Sequence, residues 1–365
     1  MNFDLTEDEQ MLKAVTERFV TDRYNVDKRR AYLAASQGFS SENWQILAEI
    51  GLVAAPFDTI HHGLAASQAD IALIAEALGR GLAVEPWIDS VLVAGQFFAA
   101  SAPPPLLSKW IAKLTTGQSR FALANRESGG RGNTDCVETI AEHAPEGWVI
   151  NGRKTIVVAG VAADGFIVSA RVGAEICYVL ISADAAGLEV LPYRLIDGRA
   201  ACDLILRNVR VVDACRLHSD PDLLRRVEAR ADIARCAEAL GIMQMMFDAT
   251  RDYLRTRKQF SAPLASFQAL QHRMVAQYVV MEQARALVDL AVLSEGDAFL
   301  RAIAGARAFI AEASVTFGHE MIQMHGGMGV SDELIIGHGH KRLLLLSRYP
   351  ETAAVALDEY AGIAA

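Results

Sequence analysis

The spacing of apolar residues changes twice along this chain of 365 residues, and this change constrains the fold most. Residues 1–115 repeat apolar side chains at helical spacing. Residues 116–218 instead contain short apolar runs and alternating segments such as Leu204–Val211, which are typical of strands. Helical spacing returns over residues 219–365, with Pro221 suited to a first helical position. The sequence therefore predicts an α+β protein with an N-terminal α-helical domain, a middle β domain and a C-terminal α-helical bundle.

Local signals refine this outline. Thr6 and Glu9 have the spacing of a capping box at the start of a first helix. Ser41 is expected to cap a second helix, and Gly79 is expected to end a third. The pair Asn151-Gly152 favours the tight turn of a β-hairpin. We expect the middle domain to be a small barrel or a pair of packed sheets, and the last domain to be an up-and-down four-helix bundle.

Composition places the chain among globular proteins. Hydrophobic residues make up 52% and charged residues 22%, which is enough to bury a large core. The net charge of −9 argues against general binding to nucleic acid, although it leaves room for a local basic pocket. The 5 cysteines form no CxxC pair and the histidines lack zinc-ligand spacing, so we expect reduced thiols, no metal and a cytoplasmic location. We see no targeting peptide and no apolar run long enough to span a membrane.

The segment Gln323–Glu333 carries the strongest chemical signal. It contains three glycines, Gly326, Gly327 and Gly329, and ends on a carboxylate. Because glycine has no side chain, a ligand can approach the backbone closely at such positions. A loop of this kind that ends on an acid suits a cofactor lying beside a general base. Taken alone, Glu333 could equally be a solvated surface acid.

A second segment, Arg257–Pro263, precedes Phe267–Gln271 in the same helical region. Together with Gln323–Glu333, these segments resemble the acyl-CoA dehydrogenase family, whose pattern is R-x-Q-F-G-x-P, F-Q-x-x-Q, then Q-x-x-G-G-x-G before a catalytic Glu. The order of helices, strands and helices is also that of the acyl-CoA dehydrogenase fold. Glu76–Pro86 and Glu146–Lys154 look closest to the small subunits of pimeloyl-CoA dehydrogenases and related heteromeric enzymes.

The resemblance implies α,β-dehydrogenation of an acyl-CoA thioester with FAD as the hydride acceptor. It makes Glu333 the base that removes the Cα proton, with its backbone N–H polarising the thioester carbonyl. Arg257 corresponds to the residue that pairs with the FAD pyrophosphate of a neighbouring subunit, a task suited to a guanidinium. Gln259 and Phe260 would flank the same cofactor. Without a cofactor role, Arg257 would be an exposed residue that interacts with the dipole at a helix end, and Phe260 would be a core residue.

The other cofactor contacts implied by the resemblance come from two regions. Gln323, Gly326 and Gly327 would line the adenosine half of FAD. In the β domain, Ile156 stands where the family has a Trp beside the flavin, and Val158 where it has a Thr that hydrogen-bonds near flavin N5. Each lost bond costs on the order of 1 kcal/mol.

Further departures concern the remaining contacts. Gly132 replaces a hydroxyl that contacts FAD phosphate, and Glu351 lies in the altered form of the family's E-G-T loop. Some relatives carry the base on the long helix, at the position that aligns with Ala231, which cannot act as one. Asp232 follows it and is a second candidate base. The basic stretch His338–Arg342 is either a contact for CoA phosphates or a solvated helix end.

Because these departures remove half of a flavin site, we expect the chain to be one subunit of an α2β2 complex with a second acyl-CoA dehydrogenase-like subunit, or else a homotetramer. The resemblance also implies an electron-transferring flavoprotein as partner. Two other functions remain open, namely a non-catalytic structural subunit and an acyl-CoA oxidase or flavin monooxygenase. The acyl chain of the substrate stays open among dicarboxylic, branched, aromatic and steroid-derived thioesters.

Overall fold

The computed structural model describes residues 5–130, 133–218 and 220–362, so the predicted contact at Gly132 lies outside the described residues. The helices are α1 (Glu7–Arg23), α2 (Val26–Ala34), α3 (Ser41–Glu49), α4 (Gln68–Arg80), α5 (Gln96–Ser101), α6 (Pro104–Thr115), α7 (Pro221–Thr256), α8 (Gln268–Val292), α9 (Gly296–His325), α10 (Ile335–Leu346) and α11 (Ala353–Ala361), and a π-helical stretch covers Trp87–Gly95. The strands are β1 (Phe121–Ala124), β2 (Ile140–Ala144), β3 (Gly147–Val158), β4 (Gly165–Val172), β5 (Glu175–Ser182), β6 (Leu188–Arg194), β7 (Ala200–Val211), β8 (Arg216–Leu217), β9 (Lys258–Gln259) and β10 (Ala262–Pro263). The predicted order of helices, strands and helices is confirmed.

The contacts divide the described residues into two compact units. The first, which we call the helical unit, takes its residues from Met1–Ala31, Gln68–Ala83 and Asp232–Ala365. The second, the sheet unit, takes them from Tyr32–Ser67 and Val84–Ala231. Two stretches of the N-terminal helical region therefore pack with the C-terminal helices, a grouping that follows contacts rather than chain order.

Both N-terminal caps show how side chains set helix starts. The capping box is confirmed, because Thr6 Oγ1 accepts a bond from the Glu9 N–H at 3.2 Å and Glu9 Oε2 accepts one from the Thr6 N–H at 2.7 Å. The predicted cap at Ser41 is wrong by one residue. Ser40 caps α3 by accepting from the Asn43 N–H at 3.2 Å, while Ser41 is the first helical residue. Adjacent serines offer the same hydroxyl, so the sequence alone could not choose between them.

The sequence predicted that α4 ends at Gly79. In the structure, this helix of the helical unit continues to Arg80. Glycine is needed there for space, since a Cβ at Gly79 would overlap the carbonyl oxygen of Glu238 on α7. The relation is reciprocal, because a Cβ at Gly241 would overlap the carbonyl oxygen of Glu76 on α4. We call these four residues the α4–α7 crossing. The two backbones meet there with no side chain between them.

In the sheet unit, strands β1 to β8 form one connected sheet in the order β6-β7-β3-β2-β4-β5-β8, with β1 parallel to β4. The predicted hairpin turn at Asn151-Gly152 is wrong. Strand β3 runs through both residues, and β2 pairs with it from Ala144 opposite Gly147 onward. The Asn-Gly pair instead serves a bulge, where the register shifts between Ile150 and Gly152 against β7. Gly152 has φ +156°, and a Cβ there would overlap Thr139.

The C-terminal helices of the helical unit pack around α9, which contacts α8, α10 and α11. The inward face of α8 includes Met274 and Met281, which are both buried. Alanines on α9 such as Ala306 and Ala311 are buried and allow close packing between helices. Within the described residues, no helix combines the length and the apolar character needed to cross a membrane.

Candidate active site

Glu333 lies in the short loop between the turn Gly326–Val330 and α10, and its side chain is exposed. Its backbone N–H donates a hydrogen bond to Ser331 Oγ at 3.2 Å, which fixes the local turn. The carboxylate is therefore held by its backbone and remains accessible to a ligand. Gln323 is also exposed, in the last turn of α9. The structure thus brings these two predicted site residues into one helix–loop–helix segment.

The three glycines between them have different physical roles. Gly326 ends α9 with φ +59° and ψ −142°, a conformation that favours glycine. Gly329 is needed for packing, because a Cβ there would lie 2.5 Å from the carbonyl oxygen of Ile322. At Gly327 neither reason applies, since an added Cβ would meet no described atom within 4 Å and its φ is ordinary. Open backbone at Gly326 and Gly327 is what close approach by a ligand requires.

Arg257 follows the last residue of α7 and leads into a small hairpin of β9 and β10. Its own N–H completes the helix by donating to the Tyr253 carbonyl at 2.8 Å, and its side chain is exposed beside Gln259. Phe260 and Ser261 form the two-residue turn with φ +51° and +64°. Phe260 is 88% exposed, so its ring is accessible to a ligand or a neighbouring chain.

In the sheet unit, Ile156 is 44% exposed and has φ +52°, which is strained for a β-branched residue. It occupies a bulge between Lys154 and Val157. Its N–H is already engaged, with Tyr193 Oη at 3.1 Å and Asp203 Oδ1 at 3.2 Å. Burial, with Asp203 beside it, raises the pKa of Tyr193 to about 12. Such strain is typical of positions that a neighbouring ligand or function maintains.

A buried polar network supports this bulge. The Lys154 ammonium is fully buried and donates to Glu127 Oε1 at 2.6 Å and to Ser169 Oγ at 2.8 Å. The Glu127 carboxylate also accepts from the Thr139 N–H at 3.1 Å and the Thr139 hydroxyl at 2.7 Å. Burial alone would raise the pKa of Glu127, but the bonds from Lys154 and Thr139 lower it below its ordinary value. The network fixes Lys154 two residues before Ile156.

The donor chemistry of the two units differs in how well it suits FAD. In the helical unit, the exposed guanidinium of Arg257 suits a pyrophosphate, and the open backbone at Gly326 and Gly327 suits a flat adenosine. In the sheet unit, the fit is poor. Val158 is buried and has no side-chain donor, and the Ile156 N–H is taken by Tyr193 and Asp203.

Asp232, the second candidate base, lies in a buried cluster of the helical unit. Its Oδ1 is 2.7 Å from Arg235 Nη1 and 3.6 Å from Arg307 Nε. Arg307 in turn donates to the carbonyl oxygens of Leu346 at 2.8 Å, Tyr349 at 3.0 Å and Glu351 at 3.2 Å. The carboxylate thus acts as counterion to two guanidiniums, of which Arg307 holds the chain at and after the end of α10. This arrangement argues against Asp232 as the base.

Both interpretations of His338–Arg342 need correction. His338, His340 and Arg342 are all buried, because α10 packs against its neighbours on more than one side. Arg342 forms a bidentate ion pair with Glu238, at 2.8 and 2.6 Å. These residues therefore form neither a phosphate-binding surface nor a solvated helix end. Sequence reasoning also missed Tyr193 and Asp203, because residues on separate strands carry no local signal of their proximity.

Family models, curated relatives and solved structures all relate this chain to acyl-CoA dehydrogenases. The model of the acyl-CoA dehydrogenase N-terminal domain matches residues 6–118, and that of the acyl-CoA dehydrogenase C-terminal domain matches residues 229–355. The chain is 26% identical to acyl-CoA dehydrogenase FadE27 of Mycobacterium tuberculosis, over 97% of this chain and 95% of the relative. A chain of the ChsE4-ChsE5 complex of Mycobacterium tuberculosis has the same fold, with a TM-score of 0.90, 24% identity, and coverage of 99% and 98%. Butyryl-CoA dehydrogenase of Megasphaera elsdenii matches with a TM-score of 0.90, 20% identity, and 99% coverage of each chain.

Proposed function

Since the chain belongs to the acyl-CoA dehydrogenase family, a group of FAD-dependent oxidoreductases that act on CH–CH bonds of acyl-CoA, we propose that it takes part in α,β-dehydrogenation of an acyl-CoA thioester with Glu333 as the base. The observation that carries this proposal is the segment from Gln323 to Glu333. It combines an exposed carboxylate with open glycine backbone on rigid helical supports.

The chemistry required of this chain is proton removal. A carboxylate within hydrogen-bond reach of the thioester Cα accepts its proton, and Glu333 is accessible for that role. FAD, when bound, supplies the acceptor for the hydride that leaves Cβ. The Glu333 N–H donates to Ser331 Oγ in this structure, so it must exchange that partner to polarise the thioester carbonyl.

We assign the cofactor contacts of the helical unit to exposed residues that share two segments. Arg257 binds the FAD pyrophosphate, with Gln259 and Phe260 beside it, and Gln323 lies along the adenosine half. Gly326 and Gly327 let the cofactor reach the backbone. In the sheet unit, Ile156 and Val158 contribute shape but no side-chain donor.

We further propose that the chain works as one subunit of a complex with a second acyl-CoA dehydrogenase-like chain. The poor donor set at Ile156 and Val158 supports this. On α8, Val275, Tyr278 and Val279 form a row of exposed apolar residues. The ChsE4-ChsE5 complex, of which one chain has the same fold as this chain, offers a precedent for such an assembly. An electron-transferring flavoprotein would then reoxidise the flavin.

The first experiment measures flavin content and activity. The chain is purified alone and after co-expression with a neighbouring dehydrogenase-like gene, and the visible spectrum and mass of each sample are recorded. Turnover is assayed with butyryl-, octanoyl-, isobutyryl- and 3-phenylpropionyl-CoA and a dye acceptor. Flavin bound only with the partner supports the shared site, whereas a fully flavinylated, active lone chain overturns it.

Glu333→Gln in the active assembly tests the base, with Glu312→Gln on the exposed side of α9 as the matched control. We expect Glu333→Gln to lower kcat by at least about 100-fold, because it removes the proton acceptor, while Glu312→Gln retains activity. The poor flavin contacts of the sheet unit favour a second candidate, a non-catalytic structural subunit. Unchanged turnover in Glu333→Gln would establish that function instead.

A further inference from the structure

A buried histidine connects the loop of Glu333 to the interior of the helical unit. His338, in the first turns of α10, places Nε2 3.0 Å from the carbonyl oxygen of Asp332, the residue directly before Glu333. Its Nδ1 lies 3.0 Å from Nη1 of Arg29. Arg29 is fully buried and also donates through Nε to the Leu82 carbonyl at 3.1 Å. A continuous chain of hydrogen bonds therefore runs from a buried guanidinium to the backbone beside the proposed base.

The chemistry of these partners fixes one form of the ring. A guanidinium can only donate, so His338 Nδ1 must accept, and a carbonyl can only accept, so Nε2 must carry the proton. This is the neutral imidazole with the proton on Nε2. Loss of the contact with Arg29 would remove one hydrogen bond from a buried guanidinium, which is costly. The ring is thus held from both sides, and it holds the Asp332 carbonyl in turn.

We infer that His338 is a positioning residue, which sets the loop geometry of Glu333 by holding the Asp332 carbonyl. The inference rests on the proposed function, because it assigns the purpose of the contact to the base at Glu333. A second tie, from Lys341 Nζ to Asp332 Oδ1 at 2.9 Å, is exposed and contributes little on its own. The half-buried bond from His338 ties the loop to the interior of the helical unit, whereas the bond from the Glu333 N–H to Ser331 Oγ is local to the loop.

Protonation of His338 breaks this arrangement, since both ring nitrogens would then be donors and Nδ1–H would face Arg29. Burial, followed by the positive charges of Arg29 and Lys341, lowers the pKa of His338, while the bond to the Asp332 carbonyl and the Asp332 carboxylate oppose that shift. A folded-state pKa below the unfolded value of 6.5 means that the contribution is complete above about pH 6.5. It is lost as the pH falls through the folded-state pKa.

Two amide substitutions distinguish the effect of the contact with the Asp332 carbonyl from the effect of the contact with Arg29. The amide nitrogen of His338→Gln reaches about as far as Nε2 and keeps a donor for the Asp332 carbonyl. The amide oxygen of His338→Asn reaches only as far as Nδ1 and keeps the acceptor for Arg29. We expect His338→Asn to lower kcat about 10- to 100-fold, with KM changed less, and His338→Gln to recover most of it.

A readout without substrate or cofactor comes from hydrogen exchange in the peptide that covers residues 329–337. Exchange should be faster in His338→Asn than in the unchanged chain or in His338→Gln. Protection in the unchanged chain should also fall as the pH is lowered from 6.5 through the folded-state pKa of His338, but not in His338→Gln, which cannot titrate. Long-range ¹H–¹⁵N spectra should show the His338 proton on Nε2.

Equal kcat and equal exchange in the two variants, or a proton on Nδ1, would overturn the inference. Comparison with Glu333→Gln separates this from failure of the proposed function. If Glu333→Gln is inactive while His338→Asn behaves like the unchanged enzyme, only the positioning role is wrong. If Glu333→Gln is fully active, both proposals fall. In a Glu333→Gln background, His338→Asn should cause no further loss of rate.

Discussion

At the scale of single residues, Lys154 shows what a buried charge requires. Its ammonium is fully buried and is neutralised by Glu127 at 2.6 Å. Glu127→Gln leaves that charge uncompensated, so we expect a loss of about 3–5 kcal/mol in the free energy of unfolding, measured by urea denaturation. The control is Glu189→Gln, which removes the exposed pair with Arg207 and should cost at most about 1 kcal/mol. Equal effects of both changes would contradict this account.

The Glu127 carboxylate also makes the free energy of unfolding depend on pH under acidic conditions. The pKa of Glu127 is below its ordinary 4.5 in the folded chain, so its stabilisation is present above about pH 4.5 and is lost as the pH falls through the folded-state pKa. Burial lowers the pKa of Lys154, while the hydrogen bond and the charge of Glu127 oppose that shift. The decline in stability between pH 4.5 and pH 2.5 should therefore be shallower in Glu127→Gln.

Ile156 stores strain that a matched isoleucine lacks. Its φ of +52° suits glycine, whereas Ile140 is equally exposed, at 42% against 44%, in a regular strand. We expect Ile156→Gly to leave stability unchanged or to raise it by about 1 kcal/mol, since relief of strain offsets the lost contacts. Ile140→Gly should lower it by about 1 kcal/mol. Thermal unfolding of both variants checks the sign, and a loss at Ile156 as large as at Ile140 would disprove the strain.

The glycine run and Glu333 could be found from the sequence, but the structural role of each glycine could not. Gly326 serves backbone conformation, Gly329 serves packing, and Gly327 serves neither. These roles depend on where Ile322 and the end of α9 lie in space. In the same way, the engagement of the Ile156 N–H by Tyr193 and Asp203 follows from strand pairing and has no local pattern.

At the scale of elements, the α4–α7 crossing is the contact most sensitive to added volume. Gly79→Ala or Gly241→Ala would push a methyl group against a rigid carbonyl of the facing helix, so each should lower the free energy of unfolding by about 1–3 kcal/mol. Gly327→Ala is the control, because its Cβ meets open space. It should leave the Tm unchanged while weakening flavin binding in the assembly, measured by flavin release on dilution.

The helices and strands were largely predictable because their periodicity is strong, whereas their ends were not. Ser40 rather than Ser41 caps α3, and α4 continues through Gly79. Asn151-Gly152 has the composition of a turn but forms a bulge in β3. In the two glycine cases a tertiary neighbour decided between the local alternatives: Thr139 at Gly152 and Glu238 at Gly79.

At the scale of the whole molecule, the exposed row on α8 bears on assembly. If Val275, Tyr278 and Val279 contact another subunit, Val279→Glu should lower the mass of the assembly without unfolding the chain, because a buried charge opposes association. Val212→Glu, on an equally exposed valine of the sheet unit, should leave the mass unchanged. Light scattering reports the mass and circular dichroism the fold. An unchanged mass in Val279→Glu would exclude this row as the interface.

The order of helices, strands and helices, the family and the segments of the candidate site could be predicted from the sequence, because each depends on a local pattern of residues. It did not carry the grouping of residues 68–83 with the C-terminal helices, because that grouping arises from long-range packing. It also did not reveal the Arg29–His338 connection, whose members are separated by 309 positions.

The α4–α7 crossing has a consequence for the history of this chain. Each glycine faces a backbone carbonyl, which no substitution on the other helix can remove or shrink. A side chain at either position can therefore be accommodated only if both helices move apart together, which would disturb the nearby ion pairs of Glu76 with Arg285 and of Glu238 with Arg342. Positions 79 and 241 should therefore covary among relatives. We expect both to be glycine, or both to have changed together with these four charged residues.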